Sequence, residues 1–210
     1  RRHRHRPRLE APARRVVSLL PVATDIILAM GAQDRLVART PFDLDPRLAN
    51  LPNAGNALNA SVEWIASLKP DLVIGWRDQG SRSVLTQLAN LDIAAYGART
   101  ESIADAMRTI RNLGLLLGIK MQSDSLADEI ERDLAFVQRS VATRQPVRTA
   151  YVVGIEPPMI AGPGTFVGEL LTIAGAENVF GDVSALWPQV NIEELIKRDP
   201  DAIVLATENG

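Results

Sequence analysis

A chain of 210 residues is long enough for one large domain or for two small lobes, each with its own core. With 46 % hydrophobic residues, a formal net charge of −2 and no cysteine, it reads as a globular chain with no overall attraction to nucleic acid or anionic membrane. The missing cysteine excludes disulfides, thiolate metal sites, iron–sulfur clusters, cysteine nucleophiles and a lipid-anchoring cysteine in this chain. No run of about 18 apolar residues is present to cross a bilayer, and no apolar leader precedes the first predicted strand.

The start, Arg1 to Arg15, is RRHRHRPRLEAPARR, and residues 1–14 are read as a disordered basic tail. It holds the only histidines, His3 and His5, too few for a stable metal site. Arg15–Leu20 is predicted as a buried strand ended by Pro21, with Thr24 capping a helix that stops at Gly31. Leu36–Arg39 is a short strand. The segment from Pro41 to Asn59, with Pro41, Pro46, Pro52 and Gly55, is loop. Ser61 caps a helix from Val62 to Leu68, and Pro70-Asp71 leads into LVIGW, an apolar run suited to a buried parallel strand. Helix over Arg82–Leu91 and strand over Ile93–Tyr96 continue an alternation that argues for an α/β fold with mostly parallel sheets.

From Ser102 the pattern is helical, with Gly114 and Gly118 as interruptions. A second helix from near Ser123 places Leu126, Ile130, Leu134, Val137 and Val141 on one face. At roughly 20 residues it is about 30 Å long, and it is read as a spine joining two lobes. Strand returns over Thr149–Val153 and Asn178–Phe180, with helix over Phe166–Ile173 between them. Asn191 caps a helix to Lys197, and Pro200-Asp201 leads into the strand AIVLA.

The two halves repeat. Ser61-Val62-Glu63 is followed at Pro70-Asp71 by an apolar strand, and Asn191-Ile192-Glu193 is followed at Pro200-Asp201 by another, at an offset of 130. Upstream, Asp25 precedes Gly31-Ala32 by six residues and Glu169 precedes Gly175-Ala176 by six. Two echoes in one order point to duplication. They predict an N-terminal α/β lobe over 15–120, a linking helix over 121–145 and a C-terminal α/β lobe over 146–210. The first lobe continues far beyond its Pro-Asp whereas the second ends nine residues after its own, so the second lobe is expected to be incomplete at its end. A cleft between two lobes is a preferred small-molecule site.

Catalytic chemistry is thin. The sequence has no His-Glu metal spacing, no Gly-x-Ser-x-Gly elbow and no Walker phosphate loop. Glu193 and Glu194 diverge around a helix and make a poor acid–base pair. What stands out is aromatic and proline chemistry where strands end: Pro21-Val22, Trp76-Arg77, Pro157-Pro158-Met159 and Trp187-Pro188. Ligands of open α/β sheets bind outside the carboxyl ends of the strands. A tryptophan face buried on a planar ligand contributes roughly 2–3 kcal/mol. Each tryptophan can equally pack beneath a loop, and Trp64, inside a helix, is read as packing.

The stretches VVSLLPVATD, SVEWIASLKPDLVIGWR, GIEPPMIAG, GAENVF and ALWPQVNIEELIKRDPDAIV resemble the class III periplasmic binding proteins of ABC importers, above all their cobalamin-binding members, from Arg15 to Gly210. The resemblance implies two Rossmann-like lobes joined by one long interdomain helix, a ligand held between them, and no catalysis. It implies that Pro21, Val22, Phe42, Trp76, Arg77, Val153, Met159 and Trp187 bind ligand. Val153, Met159 and Ala57 stand where the cobalamin-binding members carry aromatic residues. The resemblance further implies that Glu63 and Glu193, which on the residues alone are helix-start glutamates favoured by the dipole, dock an ABC permease dimer. The ligand is then a corrinoid, with haem or a ferric siderophore as the alternative, and any metal, such as cobalt in a corrinoid, belongs to the ligand. No resident cofactor and no nucleic-acid partner are expected. A monomer in the periplasm or another extracytoplasmic space is expected. Two other classes remain open from the residues: a chelatase-like enzyme acting on tetrapyrroles, and a permease-associated sensor or adhesion module with no small ligand.

Overall fold

The computed structural model describes residues 9–56, 59–77 and 79–206. The chain folds as two compact units. The first runs to Arg99 and resumes over Met107–Ala127, and the second comprises Thr100–Ala106 and the chain from Asp128 onward.

The first unit is built on four parallel strands, β1 (Val16–Ser18), β2 (Leu36–Ala38), β3 (Leu72–Trp76) and β4 (Ala94–Ala98), in the order β2-β1-β3-β4. Leu72, Val73 and Ile74 are all buried, because β3 lies between two strands with both faces covered. Its helices are α1 (Pro21–Ala29), α2 (Val62–Ser67), α3 (Gln79–Asn90), most of α4 (Ile103–Leu117) and the first turns of α5 (Lys120–Val141). Thr24 does not cap α1. Pro21 takes the first helical turn, where its fixed φ and missing N–H cost nothing, and the Thr24 hydroxyl donates inward to the Leu20 carbonyl at 3.2 Å. Ser61 does cap α2, its hydroxyl oxygen accepting from the Trp64 N–H at 3.2 Å. Gly114 does not interrupt α4. It lies inside the helix, and a Cβ there would collide with the buried Ser123 hydroxyl of α5, so the glycine admits a close helix contact. Gly118, at φ +69, ends the helix in the left-handed conformation that glycine adopts without strain.

The fold begins before Arg15. Ala13 is fully buried and donates its N–H to the Leu116 carbonyl at 2.8 Å. The amides of Arg14 and Arg15 both donate to one oxygen of Asp71, at 2.8 and 2.9 Å. The stretch 12–14 is therefore part of the first unit and not of a tail, while His3 and His5 lie outside the described residues. The long helix is shared: its turns through Ala127 belong to the first unit and its remainder to the second.

The second unit centres on β5 (Val147–Ile155), which pairs in parallel with β7 (Ala176–Asn178) and β8 (Ala202–Ala206) and antiparallel with β6 (Pro158–Ile160). Its helices α6 (Phe166–Ile173) and α7 (Ile192–Arg198) are capped by Thr165 and Asn191. The core gathers Ala150, Val152, Ile160, Val179, Phe180 and Leu195. Strand β6 was not expected, because Pro158 withholds a ladder donor; the strand sits where only Met159 and Ile160 must pair fully.

The duplication has a geometric signature. In the first unit Arg15 donates its N–H to Asp71, Asp71 returns its N–H to the Arg15 carbonyl at 2.8 Å, and the Arg15 guanidinium reaches the carbonyls of Lys69 and Leu68 at 3.0 and 2.7 Å. In the second unit Arg148 and Asp201 exchange the same backbone bonds, and the Arg148 guanidinium reaches the carbonyls of Asp199 and Arg198. Lys69 and Asp199, each preceding the Pro-Asp pair, share the left-handed conformation, at φ 50 and 46. The Pro-Asp repeat is thus an aspartate clamp that fixes where each strand begins.

The repeats differ in cover. Val73 and Ile74 are fully buried, whereas Ile203, Val204 and Leu205 of β8 are 49, 42 and 54 % exposed, and β8 pairs only with β5 among the described residues. Replacing Ile74 with alanine is expected to destabilise the first unit by about 2–5 kcal/mol. Val204→Ala in the matching position is expected to cost less than about 1 kcal/mol. Urea unfolding of the two variants checks the contrast. Removing the caps, Ser61→Ala or Asn191→Ala, is expected to cost about 1 kcal/mol each in the same assay.

Candidate functional site

In the first unit, the order β2-β1-β3 brings the candidate residues onto one edge of the sheet. Phe42 follows β2, Pro21 and Val22 follow β1, and Trp76 and Arg77 close β3. The neighbouring ends of β1 and β3 are tied by the Leu19 N–H, which donates to the Ile74 carbonyl at 2.9 Å. Phe42 is 63 % exposed on a loop whose amide donates to the Thr40 hydroxyl. Val22 is exposed beside half-buried Pro21, since α1 buries its opposite face through Ala23, Ile26 and Ile27. Apolar side chains held open at the carboxyl ends of parallel strands suit a ligand with broad apolar area. Leu44, 85 % exposed in the same loop as Phe42, adds to this surface. Nothing in a single leucine within a polar loop marked it in the sequence.

The electrostatics of that edge are uneven. Near the end of β2, Asp43 is buried, accepting from the Thr40 N–H at 2.6 Å, while its other oxygen has no partner among the described residues. Desolvation, reinforced by the Asp43 and Asp45 carboxylates, pushes Asp25 on α1 above its ordinary value. Asp45 goes the other way, to about 2, because Arg47 donates to both of its oxygens and to one of them again from its backbone. The ends of β3 and β4 are followed instead by arginines, Arg77 and Arg99.

In the second unit, β5, β6 and the loop before α7 align three candidates. Val153 pairs with Met159 across the antiparallel ladder, and Met159 bridges to Gln189. The loop is zipped onto β6 by the Ile160 N–H to the Pro188 carbonyl and the Val190 N–H to the Pro158 carbonyl, both at 2.9 Å. Gly162 continues the zip with its N–H to Leu186 at 2.8 Å, and a Cβ at 162 would strike the Ala185 carbonyl. Trp187 is thereby held beside β6 with 41 % of its surface exposed, next to Leu186, also exposed. Val153 and Met159 are half-buried on the face of β5 and β6 opposite the core residues Val152 and Ile160.

Glu63 and Glu193 occupy the same place in their own units. Each is the exposed second residue of a helix, two positions after its cap. The Ser61 hydroxyl lies 3.2 Å from Glu63. Ala57 lies outside the described residues. Among the described residues no group of three acidic or histidine side chains converges to hold a metal, and no helix is long and apolar enough to cross a membrane.

A family model described as periplasmic binding protein matches residues 16–209. A vitamin B12-binding protein of Yersinia pestis is 30 % identical over 195 residues, covering 92 % of this chain and 70 % of that protein. One from Pectobacterium atrosepticum is 28 % identical, covering 91 % of this chain and 71 % of its own length. Among solved structures, a periplasmic vitamin B12 binding protein of Vibrio cholerae superposes with a TM-score of 0.80 at 28 % identity, covering 93 % of this chain and 77 % of that one. A periplasmic heme-binding protein from Roseiflexus superposes with a TM-score of 0.80 at 26 % identity, covering 92 and 76 %. These relatives are ligand-binding proteins, not enzymes. Two α/β units on parallel strands, apolar surfaces at the strand ends and a match spanning nearly the whole chain lead to one assignment: the chain belongs to the periplasmic binding protein family.

Proposed function

We propose that this chain is the extracytoplasmic solute-binding protein of an ABC importer, that it captures a corrinoid of the cobalamin type, and that it delivers it to a permease dimer. The observation that carries the reading is the likeness to vitamin B12-binding proteins over more than nine-tenths of the chain. One tryptophan in each unit supports it: Trp76 closes β3, and Trp187 is held in the loop zipped onto β6. Pro21, Val22, Phe42 and Trp76 in the first unit, and Val153, Met159 and Trp187 in the second, are the residues proposed to supply apolar area to the ligand. On this reading cobalt arrives with the corrinoid. The chain acts as a monomer, with Glu63 and Glu193 meeting basic residues of the permease.

Equilibrium dialysis of the purified protein against cyanocobalamin, dicyanocobinamide, haem and a ferric hydroxamate tests this. The expected result is saturable one-to-one binding of the corrinoids without chemical change. Binding of none of the four would refute it. Haem is the second reading, favoured by the likeness to a heme-binding protein. Preference for haem over both corrinoids would select it.

A further inference from the structure

Arg77 is an exposed cation at the carboxyl end of a central parallel strand, with no hydrogen bond or ion pair to its side chain among the described residues. Its place is nevertheless fixed. Its N–H donates to the Ala98 carbonyl at 3.0 Å, continuing the β3–β4 ladder one step past Trp76. Gly97 of β4 lies directly under its stem: a Cβ at 97 would sit 3.1 Å from the Arg77 Cα, 3.2 Å from its Cβ and 3.5 Å from its Cγ. The missing side chain on β4 thus gives the arginine stem a flat seat.

The surrounding charges sharpen its role. The acidic groups Asp25, Asp43 and Asp45 gather at the β1 and β2 side, where Arg47 engages Asp45 and the Thr40 N–H engages Asp43. Asp78 follows Arg77 in the chain and lies outside the described residues. Arg99 follows the adjacent strand β4 and has a partner of its own. A guanidinium presented beside an apolar ligand surface is a donor fork for an oxyanion.

Resting on the function proposed above, we infer that Arg77 selects ligands carrying an oxyanion substituent, a phosphodiester or a carboxylate, and that Gly97 positions it. Trp76 and its neighbours supply area to any planar chelate, whereas Arg77 distinguishes those with a negative group at the rim.

The test compares wild type, Arg77→Gln and Arg77→Lys with four ligands: cyanocobalamin, which carries a phosphodiester; dicyanocobinamide, which lacks it; haem, with two carboxylates; and haem dimethyl ester, with none. Arg77→Gln is expected to weaken cyanocobalamin or haem by roughly ten-fold or more, and to leave its neutral counterpart within about two-fold. The pair that responds identifies the oxyanion. Arg77→Lys is expected to recover part of the loss, and wild-type affinity for the anionic ligand is expected to fall as salt is raised. Equal weakening of charged and neutral ligands, or no weakening, overturns the assignment of Arg77 while leaving the transport reading intact. Failure of the wild type to bind any of the four overturns both.

Discussion

Replacing Glu63 and Glu193 together by arginine is expected to abolish ligand uptake while leaving affinity in solution unchanged. The reasoning starts from their placement. Each glutamate is exposed, second in its helix, and two residues past a cap whose side chain accepts from one free helix amide. If they only complemented the helix dipoles, reversal would cost each helix at most about 1 kcal/mol and transport would not change. If they meet permease arginines, each reversal replaces an attraction by a like-charge contact, worth on the order of 2–5 kcal/mol where water is excluded. Even the lower figure is about 30-fold in affinity per site. Uptake of labelled cobalamin by cells carrying the cognate permease, set against dialysis of the purified variant, separates the two outcomes.

Phe180→Ala is expected to be the most damaging single truncation in the second unit, at about 3–5 kcal/mol. Phe180 is fully buried among Ala150, Val152, Ile160, Val179 and Leu195. Its ring also carries the Arg198 guanidinium, 4.8 Å from the ring centroid, which in turn bonds Glu194 at 2.9 Å, Asp182 and the Val179 carbonyl at 2.7 Å. Truncation therefore opens a cavity and removes the surface that orients this ion cluster. The Asp182 carboxyl, held below its ordinary value by Arg198, is expected to rise toward that value in the variant. Phe180→Leu, which keeps most of the volume, is expected to lose much less. Thermal and urea unfolding of both variants check the order.

The parts of the fold that could be read in the sequence were those with one dominant physical cause. The strands LVIGW and AIVLA followed from continuous apolar runs after Pro-Asp, and they fall at Leu72–Trp76 and Ala202–Ala206. The caps Ser61 and Asn191 followed from the preference of short polar side chains for free helix amides. Thr24 misled because a threonine before an apolar run resembles a cap, whereas Pro21 had already opened the helix. Strand β6 was hidden because its pairing comes from the fold-back of β5 and from the loop before α7, neither of which leaves a period in three residues. Gly114 was legible as special but not in kind, since its partner Ser123 belongs to the next helix.

The binding surfaces divide in the same way. Trp76 could be picked out because a tryptophan closing an apolar strand is conspicuous, and Trp187 because it stands beside a proline in the loop before α7. That Val153, Met159 and Gln189 align across three segments could not be read, because it depends on register. The role of Gly97 beneath Arg77 was invisible for the same reason.

If the ligand is a corrinoid, as proposed, its ring is expected to quench Trp76 and Trp187. The most direct measurement is tryptophan emission during titration with cyanocobalamin, using the Trp64→Phe variant so that only those two tryptophans remain. Emission is predicted to be quenched and to saturate at one ligand per chain. Emission that falls only in proportion to added ligand, without saturating, would contradict the account.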